Sequence, residues 1–214
     1  MNQIKEFYEQ YPFPNDRKVE GHDWIFNSLP HAIKQGSEIL DCGCGTGEIS
    51  CFLSKYGNVI GIDLSAVSIM KAQELMGDLK IKNIYFKTED LTNLKLKQKF
   101  DYIFCIGVLH HISNYDLAIT NLQKLMRKDS LMVISVYNKH SWYLHKLFKM
   151  KLSKTRYMDV YHCPYENRYS EKEFKEKLEG FGFEVIGQWR KLPAIVRLLT
   201  GKGKLMSFCV RLKK

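Results

Sequence analysis

No run of apolar residues in this chain approaches the ~20 needed to cross a bilayer; the longest is Tyr102 to Leu109. The stretch Met1 to Gln10 lacks the apolar core of a secretion signal, so a cytoplasmic location is the expectation. The six cysteines, Cys42, Cys44, Cys51, Cys105, Cys163 and Cys209, form neither a Cys-x-x-Cys pair nor a zinc-ligand spacing. No metal is therefore expected, and a reducing compartment argues against disulfides. Cys42 and Cys44 flank a glycine and read as small residues of a tight loop. Internal repeats and low-complexity tracts are missing too, which excludes a repeat array.

What is present is ordinary globular composition. With 45% apolar and 26% charged residues, 214 residues suffice for one domain with a real core and leave no length for an ordinary second one. The charge is uneven. Residues 139–214 hold 18 Lys and Arg against 7 Asp and Glu, whereas residues 1–138 hold 15 against 16. The whole net charge of +10 therefore resides in the last third, which faces an acidic partner or water. Lys139 to Lys154 can be written as a helix with Leu144, Leu147, Phe148 and Leu152 on one side and Lys139, Lys146 and Lys149 on the other. Such a helix suits a pocket cover with solvated lysines, an anionic membrane surface or the phosphates of an RNA.

Strand and helix patterns alternate from about residue 37. Ser37–Asp41 reads as a strand, followed by a helix to Tyr56 with Gly57 as its stop. Val59–Ile62 is a strand, and Ser65 caps a helix to about Met76. Ile84–Phe86 and Tyr102–Cys105 are strands. Ser113 and Asp116 resemble a capping box for a helix through Met126, and Leu131–Val136 is the fifth strand. Ser170 and Glu173 form a capping box for a helix ending at Gly180, and Phe183–Trp189 and Leu205–Leu212 close the series, with a Gly-containing turn region at Thr200–Lys204 between them. The pattern predicts an α/β fold: a doubly wound, Rossmann-like sheet of about seven strands, mostly parallel, with an antiparallel last strand and helices on both faces. Residues 1–36 and 138–169 fall outside the rhythm, and a long insertion between regular elements is more often functional than decorative.

Such sheets bind ligands beyond the carboxyl ends of their strands. After the first strand comes Asp41-Cys42-Gly43-Cys44-Gly45-Thr46-Gly47-Glu48. Glycines there let the backbone turn sharply and approach a ligand, and the next helix aims free N–H groups at it. Glu48 occupies the third-glycine position of a dinucleotide fingerprint and would repel a pyrophosphate, which disfavours an NAD-dependent oxidoreductase. A P-loop fails as well, because no Gly-Lys-Ser/Thr follows. The acid followed by Gly43-Cys44-Gly45-Thr46-Gly47 resembles the first motif of the class I S-adenosylmethionine-dependent methyltransferases, of the type 11/12-like kind. Val59-Ile60-Gly61-Ile62-Asp63, Phe86-Lys87-Thr88-Glu89-Asp90-Leu91 and Phe100 to Ile112 continue the resemblance in order and spacing.

That resemblance implies S-adenosylmethionine as cofactor and S-adenosylhomocysteine as product. It makes residues 37–137 the cofactor-binding half, 1–36 an N-terminal cap, 138–169 a substrate-side insertion and 170–214 a C-terminal helix and strand hairpin. Asp63 is the ribose-binding acid, with Asp90, in competition with Glu89, at the adenine amino group and Leu91 offering its N–H to the ring. Leu64 and Ile106 would wall the adenine. Gly43, Cys44 and Gly45 would cradle the methionine part, whose amino group Asp41 compensates through water. His110 and His111, after the fourth strand, are candidate proton acceptors, against the plainer reading that they pack. Tyr8, Tyr11, Phe13, Tyr137, His140 and Tyr165 are the substrate-side candidates. Asp101, which starts the fourth strand, reads as structural. The fourth strand lacks the Asn/Asp-Pro-Pro-aromatic run of amino-methylating DNA enzymes, Cys163-Pro164 lies after the wrong strand for cytosine-C5 chemistry, and the double-acid loop of arginine methyltransferases is absent. A small-molecule acceptor is the expectation. A tRNA or a membrane lipid, met through the basic 139–214 region, and a non-catalytic S-adenosylmethionine-binding protein are the alternatives.

Overall fold

The computed structural model describes residues 2–12, 19–139, 167–189 and 205–213. Among them, β1 (Ser37–Cys42), β2 (Gly57–Asp63), β3 (Ile84–Thr88), β4 (Phe100–Ile106), β5 (Met126–Tyr137), β6 (Phe183–Trp189) and β7 (Leu205–Leu212) form one sheet in the order β3-β2-β1-β4-β5-β7-β6. Every pairing is parallel except those of β7, which runs antiparallel between β5 and β6. This is the expected Rossmann-like sheet with its antiparallel last strand. The helices among the described residues are α1 (Asn2–Gln10), α2 (Glu48–Leu53), α3 (Ala66–Asp78), α4 (Tyr115–Gln123) and α5 (Glu171–Gly180), with single 3-10 turns at Asp23–Phe26, Leu91–Asn93 and Leu109–His111.

Side chains of a strand alternate between faces, and here both faces are covered. Ile39, Tyr102, Phe104 and Val133 pack with Phe52 and Leu53 of α2 and Ile69, Ala72 and Leu75 of α3. Leu40, Ile103, Cys105, Met132 and Ile134 pack with Ala118, Ile119 and Leu122 of α4 and Phe174 and Leu178 of α5. Burial of each Val, Leu, Ile, Met or Phe side chain among them contributes about 1.5–3 kcal/mol relative to exposure. Asp101 accepts a hydrogen bond from the Glu38 N–H and pairs with Arg127, tying β1 to β4 and β5 as a structural residue would. The capping box at α5 is complete: the Ser170 hydroxyl accepts from Glu173 N–H, and the Glu173 carboxylate accepts from Ser170 N–H.

Three local expectations are corrected. The helix after β1, α2, ends at Leu53 and not at Tyr56, and Gly57 opens β2. A Cβ at Gly57 would lie 1.9 Å from the Ser37 carbonyl oxygen, so this glycine lets β2 start against β1 and is not a helix stop. Helix α4 is capped by Asn114, whose side-chain oxygen accepts from Leu117 N–H, one position beyond Ser113. Met126 starts β5 opposite Phe100 instead of ending a helix. The exposed run Arg127-Lys128-Asp129 hides this strand start from a hydrophobic pattern. The Thr200–Lys204 turn, Cys163-Pro164 and all but the first residue of the 139–154 helix lie outside the described residues, as do Phe13, His140 and Tyr165. Among the described residues no helix is long and apolar enough to cross a membrane, and no group of His, Cys, Asp and Glu is arranged to hold a metal ion.

Candidate functional site

The sheet reverses its direction of growth between β1 and β4, the switch point beside which such sheets bind ligands, beyond the strands' carboxyl ends. The turn after β1 is fixed by the N–H groups of Gly43 and Cys44, which both donate to the Ile62 carbonyl, at 2.7 and 3.0 Å. Gly43 has φ of 68°, and a Cβ there would meet the Val108 side chain at 2.2 Å. Only glycine suits both demands. At Gly45 the same test finds no atom within 4 Å, so the loop presents open space there.

Two carboxylates flank this loop. The Asp63 oxygens accept from Gly45 N–H and Ser65 N–H, each at 2.9 Å, clamping the glycine loop to the end of β2. Burial pushes the Asp63 pKa up, and the N–H groups of Ser65, Gly45 and Leu64 oppose that. Asp41 is 2% exposed and accepts from the Ser50 hydroxyl at 2.6 Å. Burial raises its pKa to about 7; the Ser50 bond counters this, and the charge of Asp63 adds to it. Cys44 is buried, and burial holds its thiol well above the ordinary range.

Beyond β2 and β3 lies a cleft of about 280 Å³ whose walls include Lys5, Leu64, Glu89, Asp90 and Lys95. Glu89 is buried, pairs with Lys87 at 2.5 Å and accepts from Lys95 N–H at 3.2 Å. Asp90 is half-buried and accepts from both Thr92 N–H and the Thr92 hydroxyl at 2.8 Å. Glu89 is thus held in the interior, whereas Asp90 caps the turn that follows β3 and lines the cleft. Leu91 is buried behind Asp90, and half-buried Ile106 closes β4.

On the far side of the glycine loop, the turn Leu109–His111 places two histidines at the end of β4. The His110 ring is fully buried and stacks on Tyr137, with centroids 3.8 Å apart. Neither of its ring nitrogens has a hydrogen-bond partner among the described residues. Burial, followed by His111 and the charge of Arg168, pushes its pKa well below the ordinary value. His111 is 7% exposed and meets Tyr8 and Tyr137 edge-on, both at 5.9 Å. The 167–169 segment is held there by Asn167 N–H donating to the His110 carbonyl and Tyr169 N–H to the Tyr137 carbonyl.

One edge of the sheet thus gathers Asp41, Gly43, Cys44, Gly45, Asp63, Leu64, Asp90, Leu91, Ile106, His110, His111, Tyr8 and Tyr137. Tyr11 packs on Phe7 at the end of α1, with centroids 5.7 Å apart. Sequence reasoning missed Thr46, Ser50 and Arg168. Thr46 stands between motif glycines, and its hydroxyl is buried without a hydrogen-bond partner among the described residues. Ser50 lies one turn into α2, on the side facing Asp41. For Arg168 the sequence carries no signal. An orphaned hydroxyl in the loop, open space at Gly45 and spare lone pairs on Asp63 all fit a ligand with vicinal hydroxyls and a polar, cationic end.

The model of a protein family described as a methyltransferase domain matches residues 33–193. The ubiquinone biosynthesis O-methyltransferase of Pelagibacter ubique is 35% identical over 140 residues, which cover 65% of this chain and 55% of that protein. The (S)-coclaurine N-methyltransferase of Papaver somniferum is 28% identical over 105 residues, 48% of this chain and 30% of that one. The chain thus spans about a third to just over half of the length of these curated relatives. A magnesium protoporphyrin IX methyltransferase from Synechocystis, solved with bound S-adenosylhomocysteine, shares the fold with a TM-score of 0.62 at 21% identity, over 84% of this chain and 75% of that one.

Proposed function

The chain belongs to the methyltransferase-domain family, whose cofactor is S-adenosylmethionine, and from that premise we propose that it methylates a small-molecule acceptor by in-line displacement. The observation that carries this reading is the clamp between Gly45 and Asp63, which sets an acid at the end of β2 beside the glycine turn of β1. The relatives named for ubiquinone biosynthesis and for coclaurine support a small acceptor.

S-adenosylmethionine supplies a methyl group already activated by its sulfonium, so the protein's task is to align, desolvate and remove a proton. Asp63 accepts from the ribose hydroxyls with the lone pairs its N–H partners leave over. Asp90 and Leu91 bind the adenine edge, and Leu64 and Ile106 wall the ring. Gly43, Cys44 and Gly45 hold the methionine part, and Asp41 offsets its amino group. The 37–137 half thereby holds the cofactor. Of the two histidines, His111, which meets Tyr8 and Tyr137, takes the acceptor's proton, and fully buried His110 packs behind it. Tyr8 and Tyr137 flank His111.

Calorimetric titration of S-adenosylhomocysteine tests the reading, with NADH as control. Micromolar binding is expected, with about 1.5–3 kcal/mol lost in Asp63→Ala, the worth of hydrogen bonds to a charged group. No heat with S-adenosylhomocysteine, or affinity indifferent to Asp63, would refute the cofactor site.

A further inference from the structure

Helix α1 lies across the ligand edge of the sheet. Lys5 lines the cleft together with Leu64 and Asp90, and one turn later the Tyr8 ring stands edge-on to His111. Residues three apart share one helix face. That face therefore touches the adenine side and the acceptor side at once. A helix of nine residues does not persist by itself and depends on what it packs against.

A particular hydrogen bond anchors its last turn. In an α-helix the carbonyl of residue i accepts from the N–H of residue i+4. For Tyr8 that residue is Pro12, which has no N–H. The donor comes from elsewhere: the Ser65 hydroxyl reaches the Tyr8 carbonyl at 3.2 Å. Ser65 is fully buried. Its hydroxyl oxygen also accepts from Ser68 N–H at 3.1 Å, capping α3, and its own N–H donates to Asp63 at 2.9 Å. One residue thus joins all three elements: its N–H holds the acid of β2, and its hydroxyl bridges the start of α3 and the end of α1.

We propose that Ser65 is a positioning residue that couples the two halves of the site, so that occupancy at Asp63 holds α1, and with it Tyr8, over His111. The inference rests on the reading of Asp63 as the cofactor acid. A ligand on Asp63 stiffens the Asp63–Ser65 turn, and the hydroxyl passes that order to the last turn of α1. The acceptor side is then complete only when the cofactor half is filled.

Hydrogen–deuterium exchange of the α1 amides, with and without S-adenosylhomocysteine, tests the coupling in the parent, Ser65→Gly and Ser65→Thr. Glycine is accepted at a helix N-cap, so α3 keeps its start while the hydroxyl is lost. The ligand is expected to slow α1 exchange in the parent and in Ser65→Thr. In Ser65→Gly, α1 exchanges about fivefold faster, as for one ordinary hydrogen bond, and gains no protection from the ligand. Its ligand affinity stays within about threefold of the parent, as the smaller loss on replacing a cap by glycine implies. Ligand protection of α1 in Ser65→Gly equal to the parent's would overturn the proposal. So would ligand binding to the parent without any protection of α1. Absence of binding to the parent would instead overturn the cofactor reading, and the coupling with it.

Discussion

Asp41 stands one residue before the end of β1 and Asp63 ends the neighbouring parallel strand β2, yet their surroundings set them different tasks. Asp63 is served by backbone N–H groups, whereas Asp41 has the Ser50 hydroxyl and burial. Because the folded pKa of Asp41, about 7, exceeds its ordinary 3.8, the native state binds the proton more tightly than the unfolded chain. The group therefore costs no stability below pH ~3. The cost grows as pH rises through the window between the two values and is constant above it. At full size it approaches about 4 kcal/mol. Asp41→Asn, which keeps an oxygen for Ser50, should then be more stable than the parent at pH 8 by up to that amount and indistinguishable at pH 3. Urea unfolding at both values checks this, and a constant difference would remove the titration as its cause. The two acids were legible in the sequence because strand ends beside a glycine loop define them. Ser50 and Thr46 were not, since their importance comes from α2 folding back over β1.

Among the elements, β6, β7 and α5 were legible to the residue, because a capping box and short apolar runs mark both ends of each. The misread boundaries have a shared cause: a glycine or a polar run serves a tertiary contact. Gly57 is the sharper case. Gly57→Ala would drive a methyl group into the Ser37 carbonyl and pry β2 from β1. A loss of about 1–3 kcal/mol of unfolding free energy is expected, the usual cost of overpacking, read by urea unfolding as a lowered midpoint. Ligand affinity should fall with it, because Gly43 and Cys44 hang from the Ile62 carbonyl of β2. A variant with parental stability would mean that the strand pair yields easily.

At the scale of the molecule, seven strands with helices on both faces follow from the alternation that the sequence displays. The position of β7 is less obvious, since strand order is a three-dimensional choice. β7 buries Met206, Phe208, Cys209 and Val210 between β5 and β6, which do not touch each other in the sheet. A chain ended after Trp189 is therefore expected to lose β6 from the sheet and to unfold without a sharp urea transition. A cooperative transition at the parental midpoint would contradict this. The same insertion has a consequence for biosynthesis. During translation, Val133 and Ile134 of β5 wait with an open strand edge until residues 205–212 emerge. The half of the sheet that carries Tyr137 can then close only after the cofactor half has had time to form, and a nascent chain stalled in that interval exposes a strand edge to aggregation.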